Sequence, residues 1–245
     1  MTALAIAASL LVGTGWTSIG WACPQPELRG RTLELPAETT GFGKVQGQPP
    51  LPLSRGEYVI TIDDGPNPAT TPQLLSILND YCIDATFFLI GRNAQKSPDL
   101  VRRILAEKQN LGSHSFRHPD LSRMTATQIE DELDKGNAAV EAAAGGPHGK
   151  RRLVRLPGSA GFNNVPPEDL LRYLKTRGLV LAGYDFSPQD WRNRPPGESF
   201  ATLFKNFGDR GIILFHDGQS NTIALLPMVL EELKRRDAKV VTLTF

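Results

Sequence analysis

Several things are scarce in this chain, and each scarcity removes a class of protein. Only two cysteines occur in 245 residues, so no disulfide framework builds the fold. Cys82, placed after an expected helix, reads as a small buried hydrophobe. The formal net charge is only +1 and no long basic run occurs, which excludes the electrostatic footprint of a nucleic-acid binder. No apolar run approaches the roughly 20 residues that cross a bilayer. No internal repeat or low-complexity tract is present. Histidine is rare as well, with four in the chain, so the positions of those four carry weight.

What is present is an ordinary globular balance, 40% hydrophobic and 22% charged, long enough for a full core. Residues Ala3 to Val12 are apolar, and small residues at Gly20 and Ala22 suit cleavage before Cys23, although a positively charged start is missing. Residues 1–22 are therefore expected to be a signal peptide and the protein to be exported, as a periplasmic or secreted protein or as a lipoprotein through Cys23. Residues 23–56 are rich in Pro and Gly and read as a linker or a strap over the surface. The catalytic domain is expected over 57–245.

Within that unit, strand-like apolar runs alternate with stretches of helical period, the pattern of an α/β fold with a parallel sheet. Strands are expected at Tyr58–Ile62, Ala85–Ile90, Asn110–Gly112, Leu153–Leu156, Leu179–Tyr184, Gly211–Phe215 and Val240–Thr244, seven in all. Helices are expected at Thr71–Asp80, Pro98–Lys108 with Ser97 as N-cap, Thr125–Ala144, Pro167–Arg177 and Thr222–Arg236. The chemically distinctive residues all follow strands. In a parallel barrel that carboxyl edge is where side chains distant in sequence converge.

Asp63 and Asp64 end the first of these strands. Two like charges in a partly buried mouth repel unless a cation compensates, so one of the pair is a candidate metal ligand; the plainer reading is an Asp-Gly-Pro turn. His114 and His118 lie four apart, on one face if the backbone makes a helical turn there. One carboxylate with two imidazoles leaves a coordination position open, as catalytic zinc sites do, and the alternative is a pair of polar loop histidines. His216 ends another apolar run and faces the mouth or caps its strand. His148, in a Gly/Pro loop, reads as solvated. Arg155 can hold a carboxylate bidentately or sit on the surface. Trp191, beside Asp190, suits sugar stacking or a core position.

Taken in order, Thr61-Ile-Asp-Asp-Gly65, His114-Ser-Phe-Arg-His118, Arg155-Leu-Pro157, Asp190-Trp191 and Leu214-Phe-His216 resemble the five motifs of the polysaccharide deacetylases, carbohydrate esterase family 4. The likeness extends to Gly65–Thr71 and Ala85–Phe88 and covers nearly all of 57–245. That family includes chitooligosaccharide, peptidoglycan and chitin deacetylases and some acetyl xylan esterases. The resemblance implies a distorted, incomplete seven-stranded (β/α) barrel of TIM-like kind. It implies a divalent metal, zinc first with cobalt or another transition metal as alternatives, held by Asp64, His114 and His118. It further implies that Asp63 is general base, His216 general acid, Arg155 the residue that orients Asp63 and Asp190 the one that tunes His216. Trp191 and Leu214 would shape the acetyl pocket, with the Gly158 N–H facing the oxyanion. The substrate implied is an N-acetylglucosamine glycan, an O-acetylated glycan in the esterase alternative, or a glycan merely bound by a non-catalytic relative. Two departures from the family pattern stand out. Gly158 and Ser159 replace the usual aromatic-glycine pair, so a cleft wall is missing or comes from Phe162. Four residues, rather than two, separate Asp185 from Asp190.

Overall fold

The computed structural model describes residues 26–158 and 166–245. The expected signal segment, Cys23, Ser159 and Phe162 lie outside the described residues. A nine-stranded, mostly parallel sheet has the order β1-β9-β3-β4-β5-β6-β7-β2, with β8 added on β3. Its strands are β1 (Arg29–Glu34), β2 (Gly41–Phe42), β3 (Glu57–Asp63), β4 (Thr86–Leu89), β5 (Asn110–Ser113), β6 (Arg152–Val154), β7 (Leu179–Ala182), β8 (Gly211–His216) and β9 (Lys239–Thr244). The helices are α1 (Thr71–Asp80), α2 (Gly91–Lys96), α3 (Pro98–Ala106), α4 (Ala126–Ala144), α5 (Glu168–Thr176), α6 (Pro196–Lys205) and α7 (Ser220–Arg235). β3 is buried along Tyr58–Asp63 because neighbours cover both of its faces, which is why its sequence runs apolar rather than alternating. Ile60, Ile62, Phe87 and Phe215 pack with Leu225 and Val229 of α7 in the largest core cluster.

The barrel is incomplete between β7 and β8. The gap is crossed by the residues that follow β7: Asp185 and Phe186 donate their N–H groups to the Ile212 carbonyl, and Phe186 bridges Ile213. Chain continuing past β7 is thereby drawn toward the mouth.

Where a linker was expected, residues 26–56 contribute two strands. β1 pairs in parallel with β9, and β2 with β7. Leu35, Phe42, Leu51 and Leu53 are buried in the second core cluster, and apolar burial at those positions outweighs the turn-rich composition. Other local expectations also change. Ser97 makes no side-chain cap to α3, whereas Thr125 and Gln128 form a reciprocal capping box at the start of α4. α2 and α6 are short or interrupted patterns that sequence periodicity did not flag. Cys82 is half-buried at a left-handed φ of 56° just after α1 and is disulfide-bonded rather than a packed thiol.

Candidate active site

Asp63 is the last residue of β3 and Asp64 the first beyond it, and both line one cavity of ≈ 640 Å³. Consecutive residues of a regular strand point to opposite faces. The left-handed backbone at Asp64, φ 75°, brings both carboxylates to the same side. Asp63 is buried, and its Oδ1 accepts a 2.7 Å hydrogen bond from Arg155 Nη1. Arg155, 1% exposed, also donates to Thr61 Oγ1 and to the carbonyls of Ala182 and Gly183, and stacks on Phe88. A surface arginine it is not. The guanidinium, bonded through all three of its nitrogens, fixes the Asp63 carboxylate in one orientation.

His114 follows β5 directly and is buried, while His118 is more open. They converge through a loop with left-handed residues at Ser115 (φ 60°) and His118 (φ 60°), not through the helical turn that their spacing suggested. The loop is held in three ways. Ser115 Oγ accepts from the His118 N–H; buried Glu132 takes both the Arg117 N–H and its guanidinium; and Gly136 of α4 lies so close that a Cβ would stand 2.5 Å from Ser115.

His114 Nδ1 lies 2.8 Å from the Arg155 carbonyl. A carbonyl only accepts, so Nδ1 carries the proton and Nε2 offers a lone pair. That Nε2 stands 3.6 Å from Asp64 Oδ1, and His118 Nε2 stands 3.5 Å from the same oxygen. These separations are too long for hydrogen bonds. They match the edge of a tetrahedron, about 3.4 Å for donors held at roughly 2.1 Å by one ion. Asp63 Oδ2 is equally near His114, at 3.6 Å, so distance does not choose between the carboxylates. Their partners do: Asp63 is tied to Arg155, whereas Asp64 Oδ1 is buried with no hydrogen-bond partner. The donor atoms of Asp64, His114 and His118 fall within 4.8 Å of one another. This donor set fits a divalent metal.

His216 ends β8. Its Nδ1 is 2.8 Å from Asp190 Oδ1, its N–H donates to Asp190 Oδ2, and Thr222 completes the shell around that buried acid. Asp190, not Asp185, therefore meets His216. Asp185 instead accepts from the Lys44 and Ile212 N–H groups at the barrel seam. The two imidazoles are driven apart electrostatically. Burial dominates at His114 and pulls its pKa below the ordinary value, against the attraction of Asp63 and Asp64. Burial also pulls on His216, but the hydrogen bond and charge of Asp190, with Asp63 and Asp64 beyond, outweigh it and hold the pKa above the ordinary value.

Trp191 (51% exposed), Leu214 and Gly158 all line the same cavity, so each expected site residue reaches it except Asp190, which acts from behind His216. His148 lies apart; it is half-buried, with burial lowering its pKa, not freely solvated. Gln46, Tyr184, Ser187 and Gln189 also line the cavity and were not foreseen. Buried Glu132 was missed too, its acid on a mostly apolar helix face being the available signal.

Residues 52–179 match the family model described as polysaccharide deacetylase. A peptidoglycan-N-acetylglucosamine deacetylase of Bacillus cereus is 35% identical over 200 residues, 79% of this chain and 89% of the relative. A chitooligosaccharide deacetylase of Bradyrhizobium is 28% identical over 222 residues, 85% of this chain and 95% of the relative. Among solved structures, a peptidoglycan deacetylase of Bdellovibrio bacteriovorus superposes with TM-score 0.75 at 27% identity, covering 90% of this chain and 60% of that one. The chain belongs to the polysaccharide deacetylase family, and it is a metal-dependent hydrolase of that α/β barrel type. A Bacillus anthracis protein described as a pseudoenzyme of the family shares the fold, with TM-score 0.68 at 22% identity, over 77% of this chain and 64% of that one. Fold alone is thus no measure of activity, and the side chains must carry the argument.

Proposed function

We propose that this protein removes N-acetyl groups from a glycan containing N-acetylglucosamine, releasing acetate and a free amino sugar. The observation that carries the reading is the meeting, in one cavity, of a three-donor metal site with two proton-transfer groups, Asp63 and His216, each fixed by a buried partner. Asp64, His114 and His118 would hold the ion, zinc by its preference for this nitrogen and oxygen set, with cobalt or another transition metal tolerated. When bound, the metal supplies Lewis-acid activation of water and of the acetyl carbonyl. Asp63, oriented by Arg155, accepts the proton of the attacking water. The Gly158 N–H faces the oxyanion that forms, at a left-handed turn (φ 54°) where an added Cβ would meet nothing. His216 hands its Nε2 proton to the departing nitrogen, since an amine leaves poorly unprotonated, and Asp190 stabilises the imidazolium until then. Leu214 and Trp191 form the apolar and aromatic walls against the acetyl methyl and the sugar.

Residues 57–245 form the catalytic domain, to whose sheet residues 26–56 add β1 and β2, and export is guided by 1–22. Among the described residues no helix is long and apolar enough to cross a membrane. The disulfide at Cys82 speaks for an oxidising compartment. Acetate release should be measured side by side on chitooligosaccharides, peptidoglycan and acetylated xylan. Release from the xylan alone would replace the amide reading with an ester one, and release from none would remove catalysis.

A further inference from the structure

Among the described residues that share the cavity with Gly158 is Gln46, which precedes the matched stretch 52–179 and all five motifs. Gln46 is 2% exposed and sits at φ 87°, a left-handed backbone that glycine or asparagine adopts more readily. A long side chain is kept there only if its surroundings over-determine it. Those surroundings are specific. Gln46 Nε2 donates to the Leu156 carbonyl at 3.2 Å, across 110 positions of sequence. Gln48 Nε2 donates to the Gln46 carbonyl, the Val45 N–H donates to Tyr184, and Asp185 receives the Lys44 N–H. The loop is pressed so close to the end of β7 that a Cβ on Gly183 would lie 2.0 Å from the Val45 carbonyl oxygen. Because a carbonyl only accepts, the amide group must turn its NH₂ to Leu156, which leaves Oε1 buried without a protein partner. The donor end is what holds the side chain.

Leu156 is the residue between Arg155, whose carbonyl orients His114, and the Pro157-Gly158 turn. We propose that Gln46 is a positioning residue of this active site: by fixing the Leu156 carbonyl it sets the turn that presents the Gly158 N–H to the oxyanion, standing in for the aromatic-glycine pair that this chain lacks. The inference rests on the deacetylase reading. A displaced oxyanion donor costs transition-state stabilisation more than substrate binding, so the effect belongs in kcat.

Two variants test it. Gln46→Gly removes the side chain and suits the backbone; Gln46→Glu keeps the shape and loses the donor. Both should lower kcat on an N-acetylglucosamine oligosaccharide by about 10- to 100-fold, with KM moved less than about threefold. One equivalent of metal and a cooperative melt should remain in each. If both variants stay within about twofold of wild type in kcat, Gln46 merely packs its loop and the inference falls while the deacetylase reading stands. A rise in KM at constant kcat would make Gln46 a substrate contact and also overturn it. Wild-type protein that releases no acetate from any N-acetyl glycan would remove the deacetylase reading itself, and the positioning role with it. Should Gln46→Glu fail to fold, Gln46→Gly still decides.

Discussion

His114 at the end of β5 and His216 at the end of β8 are held in the same way and prepared for opposite tasks. Each is fixed through Nδ1 at 2.8 Å, so each turns Nε2 toward the cavity. The difference lies in the acceptor. The partner of His114 is a backbone carbonyl, which orients the ring without adding charge, and burial then favours the neutral imidazole that a ligand must be. The partner of His216 is a carboxylate with almost no exposure, which overturns the same burial penalty and favours the imidazolium that an acid must be. One fold runs two histidine chemistries in a single cavity by changing what lies behind the ring.

The comparison breaks most completely at the metal side. His114→Ala or Asp64→Ala should abolish metal binding and lower activity by at least about 10³-fold, since several kcal/mol of transition-state stabilisation go with the ion. Exhaustive chelation should do the same to the wild type. Full activity in protein shown by elemental analysis to be metal-free would end the scheme. Asp63→Asn should cost about 10²–10⁴ in kcat while elemental analysis still finds the metal. Loss of the ion in that variant would mean that the two carboxylates have exchanged roles.

On the acid side, His216→Ala should retain metal and lose about 10²-fold on an N-acetyl substrate. An activated aryl acetate, whose phenolate departs without a proton, should suffer much less. Equal losses on both substrates would take the acid role away from His216. The smallest effect sharpens the contrast most. The rate should fall as pH rises through the His216 pKa, because the protonated form is the active one. Asp190→Asn removes the hydrogen-bonded charge that raises that pKa and leaves burial to lower it, so the basic limb of the kcat profile should move to lower pH, with about a tenfold loss at the wild-type optimum. A limb that stays in place would assign it to another group.

Much of this site was legible because its residues end apolar runs. Asp63, His114, Arg155 and His216 each stand at or next to the last position of a strand, and the seven expected strands correspond to β3 through β9. What escaped notice had no periodic signal. β1 and β2 sit in a tract whose prolines and glycines speak for turns, and their strand character depends on pairing with β9 and β7, partners that local propensity does not register. Gln46 was invisible for the same reason, since its role depends on a carbonyl 110 positions away. The convergence of His114 and His118 was foreseen but its route was not, because left-handed Ser115 and His118 are imposed by Glu132 and Gly136 from another helix.

The pairing of β1 with β9 sets a temporal order on the molecule. Arg29 meets Val240 and Glu34 meets Thr244, so the first described strand waits for the last one. A ribosome delivers β1 long before its partner exists, and a closure spanning so much chain is slow. The nascent protein therefore passes through a long interval in which its final sheet cannot be completed.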